Sequence, residues 1–139
     1  MKLLLPEAFL KITLIDDSEI DGFIVEQTLK DSKYNFSFSS FNTAHKALDF
    51  FKQKNSDEYP NIVLLDLSMP IMDGYEFLNE LEIVLDLNET TPFHVFILTS
   101  SNLKRDIEKY ERYPIIAEYL QKPLDIAKLD KIVSKLYYT

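Results

Sequence analysis

Asp16-Asp17, Asp66, Thr99-Ser100 and Lys122 each stand at or just past the end of a short apolar, β-prone run. Three carboxylates brought close together repel, and each favours a proton over sharing its charge with its neighbours. A hard divalent cation relieves that repulsion. Mg²⁺ takes oxygen ligands, keeps several waters, and binds through one or two carboxylates and a phosphate oxygen. A lysine ammonium and a threonine hydroxyl are what a phosphoryl group wants for its other oxygens. A carboxylate beside such a metal can act as a nucleophile and become an aspartyl phosphate. The set points to an aspartate that takes a phosphoryl group. No nucleotide site is present to supply it: Gly22 and Gly74 are the only glycines, so neither G-x-G-x-x-G nor G-x-x-x-x-G-K-[ST] can be written.

These residues converge only if the chain folds in a particular way. The β-prone runs are Leu10–Ile15, Phe36–Phe41, Ile62–Leu65, Phe93–Leu98 and Ala117–Leu120. The first, third and fourth are almost wholly apolar, as strands buried on both faces of a parallel sheet must be. Phe36–Phe41 alternates Phe with Ser and reads as an edge strand. Between the runs, apolar residues recur at helical spacing. They are Ile20, Phe23, Ile24 and Leu29; Ala44, Ala47, Leu48 and Phe51; Phe77, Leu78, Leu81, Val84 and Leu85; Leu103, Ile107 and Tyr110; and Ile126, Leu129, Ile132, Val133 and Leu136. Ser18, Thr43 and Asp125 are suitable N-caps, and Asp73-Gly74 suits a turn and helix start. Five strands alternating with five helices imply right-handed crossovers and a doubly wound α/β sandwich. In such a sheet, ligands bind at the carboxyl ends of the strands, where the three acids, the hydroxyl and the ammonium all lie. The elements use residues 9–139 as one domain, with residues 1–8 as a short N-terminal extension.

Composition narrows the remaining classes. The 139 residues contain no cysteine, which excludes disulfides, thiolate metal sites and thiol nucleophiles and suits a reducing compartment. A net charge of −8 repels phosphate backbones, so direct nucleic-acid binding is not expected. Leu3-Leu4-Leu5 is too short for a signal-peptide core, and no stretch approaches a membrane span. A cytoplasmic location follows as an expectation.

Taken singly, each group has a plainer reading. Asp16-Asp17 could cap a helix, Thr99 could bond its own backbone, and Lys122 could be a solvated lysine. His45 reads as a surface histidine and His94 as part of the fourth strand. Only the joint placement carries weight, and it is stronger than any one motif.

The stretches Leu14-Ile15-Asp16-Asp17-Ser18, Leu64 to Gly74 (Leu-Leu-Asp-Leu-Ser-Met-Pro-Ile-Met-Asp-Gly), Ile97-Leu98-Thr99-Ser100 and Tyr119-Leu120-Gln121-Lys122-Pro123 resemble the receiver domain of bacterial two-component response regulators. The resemblance runs in order from about residue 10 to the end and is nearest to the single-domain, chemotaxis-type receivers. It implies a flavodoxin-like (βα)5 fold with a five-stranded parallel sheet in the order 2-1-3-4-5. It implies a role for each residue. Asp66 is the phosphoacceptor, charged from a phosphohistidine on a histidine kinase or phosphotransfer protein. Asp16, Asp17, Asp66 and the backbone carbonyl of Ser68 hold Mg²⁺ or Mn²⁺. Lys122 pairs with the acids before phosphorylation and with the phosphoryl group after it. Thr99 is the switch hydroxyl and Tyr119 the switch aromatic, and the Lys122–Pro123 bond is cis. The output is a downstream protein bound through the fourth helix, fifth strand and fifth helix. The fourth helix carries the mixed charges Lys104 to Arg112, and Tyr137 and Tyr138 lie at the chain end. A phosphorylation-dependent homodimer is compatible with the same face.

Two departures from the family pattern stand out. Ser100 occupies a position where many members have Ala, and Leu87–Pro92 lengthens the connection before the fourth strand. Other readings fit less well. A metal-dependent phosphatase with an aspartyl nucleophile usually has an acid two residues on, where this chain has Ser68. A receiver-like binding module without phosphorylation finds no support in a complete residue set. A flavin binder is more distant still.

Overall fold

The computed structural model describes residues 9–53, 59–85, 93–100, 103–110 and 113–137. The expected extension at residues 1–8, the Leu87–Pro92 segment and Tyr138 lie outside the described residues. In chain order the elements are β1 (Phe9–Ile15), α1 (Glu19–Asp31), β2 (Asn35–Phe41), α2 (Ala44–Gln53), β3 (Ile62–Leu65), α3 (Gly74–Leu85), β4 (His94–Thr99), α4 (Leu103–Tyr110), β5 (Ile116–Gln121) and α5 (Ile126–Tyr137). The strands form one sheet in the order β2-β1-β3-β4-β5, and every pairing is parallel.

The alternation of side chains along each strand sorts the core into two layers. In β3, Val63 and Leu65 pack with Ile15, Val95 and Ile97 under α2 and α3. Ile62 and Leu64 face the other way, with Leu10, Ile12, Leu14, Phe96, Leu98 and Leu120, under α1 and α5. All four residues of β3 are buried. At about 1.5–3 kcal/mol for each fully buried large aliphatic side chain, so short a strand is still firmly seated. β2 is one of the two edge strands, and from Asn35 to Ser39 its burial alternates as a one-sided strand requires.

The caps form as the local sequence suggests. The Ser18 hydroxyl accepts from the Asp21 N–H at 3.2 Å, Thr43 accepts from Lys46 at 3.1 Å, and Asp125 accepts from Lys128 at 2.8 Å. Asp73 accepts from the Glu76 N–H at 2.9 Å, starting α3. Each such cap is worth about 1 kcal/mol.

One helix faces differently from its apolar pattern. Ile20 and Phe23, expected on the buried stripe of α1, are 73% and 66% exposed; Leu29 faces the core as expected, joined by Val25. At about 100° per residue, Ile20 and Phe23 lie on the side of the helix away from Val25 and Leu29, so they stand on its outer face. Ile126 shares the face of Leu129 and Val133 but is 41% exposed, because it opens α5 at the sheet rim, while Leu129, Ile132 and Val133 are buried.

Candidate metal and phosphoacceptor site

The chain turns outward in opposite directions from the adjacent strands β1 and β3, leaving a crevice at their carboxyl ends. Hydrogen bonds between neighbouring strand ends fix the backbone of each residue there. The N–H of Asp16 donates to the Phe41 carbonyl at 3.1 Å, that of Asp66 to Ile15 at 2.9 Å, and that of Lys122 to Thr99 at 2.8 Å. Each ladder thus runs past its strand and delivers a functional side chain to the rim.

One carboxylate oxygen from each of Asp16, Asp17 and Asp66 lies within 4.8 Å of the other two. Asp16 and Asp66 are buried, and Asp17 is exposed. The Ser18 N–H donates to Asp16 Oδ1 at 2.9 Å, which orients that carboxylate. Lys122 Nζ reaches Asp16 Oδ2 at 2.8 Å, Asp21 Oδ2 at 2.7 Å and Asp66 Oδ1 at 3.5 Å. The approach to Asp16 is close but poorly directed, so Asp16 Oδ2 has an ion-pair neighbour and no geometrically sound hydrogen bond. The Lys122–Pro123 peptide bond is cis.

Burial and the Asp16 charge push the Asp66 carboxyl up to about 6; Lys122 and the Ser68 N–H pull the other way without prevailing. Burial by itself pulls Lys122 down, but Asp16, Asp21 and Asp66 together hold its ammonium above the ordinary lysine range. The corner therefore carries more negative charge than its one lysine neutralises. Three oxygen donors at this spacing fit a hard divalent cation.

Thr99 ends β4 fully buried. Tyr119, on β5, is half-buried against the α2/α3 layer. The Ser68 side chain is exposed, and its N–H serves Asp66. The loop that follows is tightly made. Gly74 donates to the Leu67 carbonyl at 3.1 Å, and a Cβ at Gly74 would lie 2.9 Å from Leu67 Cα. Between them Ile71, 88% exposed, takes a φ of 70°. The Met72 N–H donates across it to the Pro70 carbonyl at 2.8 Å. A β-branched residue in that left-handed region is strained.

The structure brings Asp16, Asp17, Asp66 and Lys122 together, with Thr99 at the adjoining strand end. Sequence reasoning missed Asp21. Its one available signal was position: it stands in the first turn of α1, three residues after the Ser18 N-cap that follows the acid pair.

Residues 12–134 match the family profile described as the response regulator receiver domain. Response regulator Rcp1 of Synechocystis sp. is 32% identical over 126 residues, covering 88% of this chain and 82% of that protein. Two-component response regulator ORR1 of Oryza sativa subsp. indica is 29% identical over 128 residues, 87% of this chain; the match takes in 54% of that longer protein. A crystal structure of a response regulator receiver protein from Dyadobacter fermentans superposes with a TM-score of 0.76 at 29% identity, covering 92% of this chain and 97% of that one. The Mn²⁺-bound form of Rcp1 superposes with a TM-score of 0.67 at 30% identity, covering 90% and 89%. With the sheet order, the acid corner and the family profile in agreement, the chain belongs to the response-regulator receiver domains of two-component signalling.

Proposed function

We propose that this chain is a response-regulator receiver that accepts a phosphoryl group on Asp66 and signals by changing its protein contacts. One observation carries the reading: Asp66, buried at the end of β3, has an oxygen within 4.8 Å of oxygens of two further carboxylates, and its Oδ1 lies 3.5 Å from the Lys122 ammonium. In the transfer, the N–P bond of a phosphohistidine on a kinase or phosphotransfer protein breaks. A carboxylate oxygen of Asp66 forms the new O–P bond, and the imidazole leaves neutral after taking a proton.

Asp16, Asp17, Asp66 and the Ser68 carbonyl are the groups that would hold Mg²⁺ or Mn²⁺; a related receiver, Rcp1, has been crystallised with Mn²⁺. The metal supplies positive charge against the transferring phosphoryl oxygens. Lys122 and the Thr99 hydroxyl satisfy the remaining oxygens. Movement of Thr99 lets Tyr119 turn inward and alters the face formed by α4, β5 and α5. The shift is as large as the difference in how well the two conformers satisfy the new charge.

A protein donor also suits the surroundings. Ile20, Phe23, Ile71 and Ile126 are exposed on three of the segments that surround the acids, and exposed large apolar side chains rimmed by charge mark protein contacts. Among the described residues, no helix is long and apolar enough to cross a membrane. The reading places the protein in the cytoplasm with its kinase.

The test is intact-mass measurement after incubation with acetyl phosphate and Mg²⁺. Wild type should gain one phosphoryl group and Asp66→Asn none. An unmodified wild type, or an equally modified variant, would overturn the assignment.

A further inference from the structure

The shortest contact of the Lys122 ammonium is with Asp21, which is not one of the acids that could hold a metal. The ammonium donates to Asp21 Oδ2 at 2.7 Å. Asp66 Oδ1 is 3.5 Å away, and the contact with Asp16 is ill-directed. Asp21 is also the most accessible of the three partners, with 26% of its side chain exposed against 0% for Asp16 and 6% for Asp66. Both ends of the pair are held by their backbones. The Asp21 N–H is bound to the Ser18 hydroxyl, and the Lys122 N–H to the Thr99 carbonyl. The bond ties the first turn of α1 to the β5–α5 connection across 101 positions of sequence.

Resting on the reading of Asp66 as phosphoacceptor, we infer that Asp21 is a positioning residue that restrains Lys122 in the unmodified protein. A phosphoryl group on Asp66 competes with it for the ammonium. An ammonium has three donors, so Asp16 can keep its hold while the bond to Asp21 is exchanged for one to a phosphoryl oxygen. The exchange costs a charge-assisted hydrogen bond in a partly shielded place, where such bonds are stronger than neutral ones. Asp21 therefore sets how tightly a phosphoryl-like anion is held at Asp66. It acts through Lys122, without itself touching the anion.

Beryllofluoride, which binds a carboxylate oxygen with the shape and charge of a phosphoryl group, measures this at saturating Mg²⁺. Its affinity is read from NMR titration of the Thr99 amide. Asp21→Asn keeps the side-chain shape and the Ser18 cap. It should bind beryllofluoride about three- to tenfold more tightly than wild type, as expected for release of one close charge pair. Asp21→Glu should return the affinity towards wild type. Glu19→Gln removes an equal charge from the same helical turn at an exposed residue with no described ion pair to Lys122. Solvent screening should hold its effect to no more than about twofold. Equal or weaker binding by Asp21→Asn would overturn the inference, as would a Glu19→Gln effect as large as that of Asp21→Asn. Wild type that binds no beryllofluoride would instead overturn the phosphoacceptor reading itself, and the inference with it.

Discussion

The backbone N–H of Asp66 donates to the carbonyl of Ile15 at 2.9 Å. This single bond couples the two acid-bearing strands at the point where both end. It carries the β1–β3 ladder one residue beyond the Ile15–Leu65 pair, so Asp66 emerges beside Asp16. Since both carboxylates are buried, the site has a measurable cost in the metal-free protein.

That cost depends on pH in a definite direction. Asp66 is raised from 3.8 to about 6 in the folded chain, so between those values the native state binds more protons than the unfolded one. Its contribution to stability is least unfavourable near pH 4 and worsens as pH rises through about 6. Above that the full penalty applies, about 2–3 kcal/mol for a shift of about two units. In chelator at pH 7.5, Asp66→Asn should be more stable than wild type by about 1–3 kcal/mol in urea unfolding, with the gap closing towards pH 4. A variant no more stable at pH 7.5 would show that the carboxylate is not held in an unfavourable charged state.

Magnesium should act on the same penalty with the opposite effect. Binding to the folded state alone stabilises it by about 1.4 kcal/mol at tenfold excess over the dissociation constant. Wild type should melt at a higher temperature with Mg²⁺ at pH 7.5, and removing the metal with chelator should reverse the shift. The gain should shrink as pH falls below about 6, because protons then compete for Asp66. Asp17→Asn should lose most of it. A thermal shift identical in Asp17→Asn would place the ion elsewhere.

Gly74 is required by a close approach. A methyl group there would meet Leu67 Cδ2 at 2.7 Å, Leu67 Cα at 2.9 Å and the Asp66 carbonyl at 3.1 Å. Backbone atoms cannot rotate away as a side chain can. Gly74→Ala should therefore destabilise the protein by about 1–3 kcal/mol, as overpacking does. It should also slow modification by acetyl phosphate, because the displaced segment begins at Asp66. Unchanged unfolding and phosphorylation together would refute the packing argument.

Ile71 should show the reverse. Its φ of 70° is unfavourable for a β-branched residue and easy for glycine, and its side chain is 88% exposed. Ile71→Gly should raise stability by about 1 kcal/mol through relief of strain, less what the more flexible unfolded chain takes back. Modification by acetyl phosphate should persist, whereas transfer from a phosphohistidine protein should weaken if Ile71 helps to seat the donor. Loss of both transfers alike would mean that Ile71 shapes the site and does not seat a partner.

The elements themselves were legible because their causes are local. Runs such as Ile62–Leu65 can be buried only on both faces, and Ser18, Thr43 and Asp125 carry oxygens placed for the N–H groups of the next turn. The acids after β1 and β3 were legible because a parallel sheet gathers its strand ends on one rim. The stripe on α1 was misread for an equally physical reason. Helical periodicity marks an apolar face but not which face the sheet covers, and α1 turns Val25 and Leu29 inward, leaving Ile20 and Phe23 on its outer side.

The order of apolar runs, caps and acids along the chain determines the doubly wound sheet and the convergence of Asp16, Asp17, Asp66 and Lys122, since each depends on near neighbours and strand alternation. The partner that Lys122 favours and the proton affinity of Asp66 were decided only by the tertiary structure. Both depend on distances of a few ångströms between segments up to 101 positions apart, and on how far burial removes water from the charges.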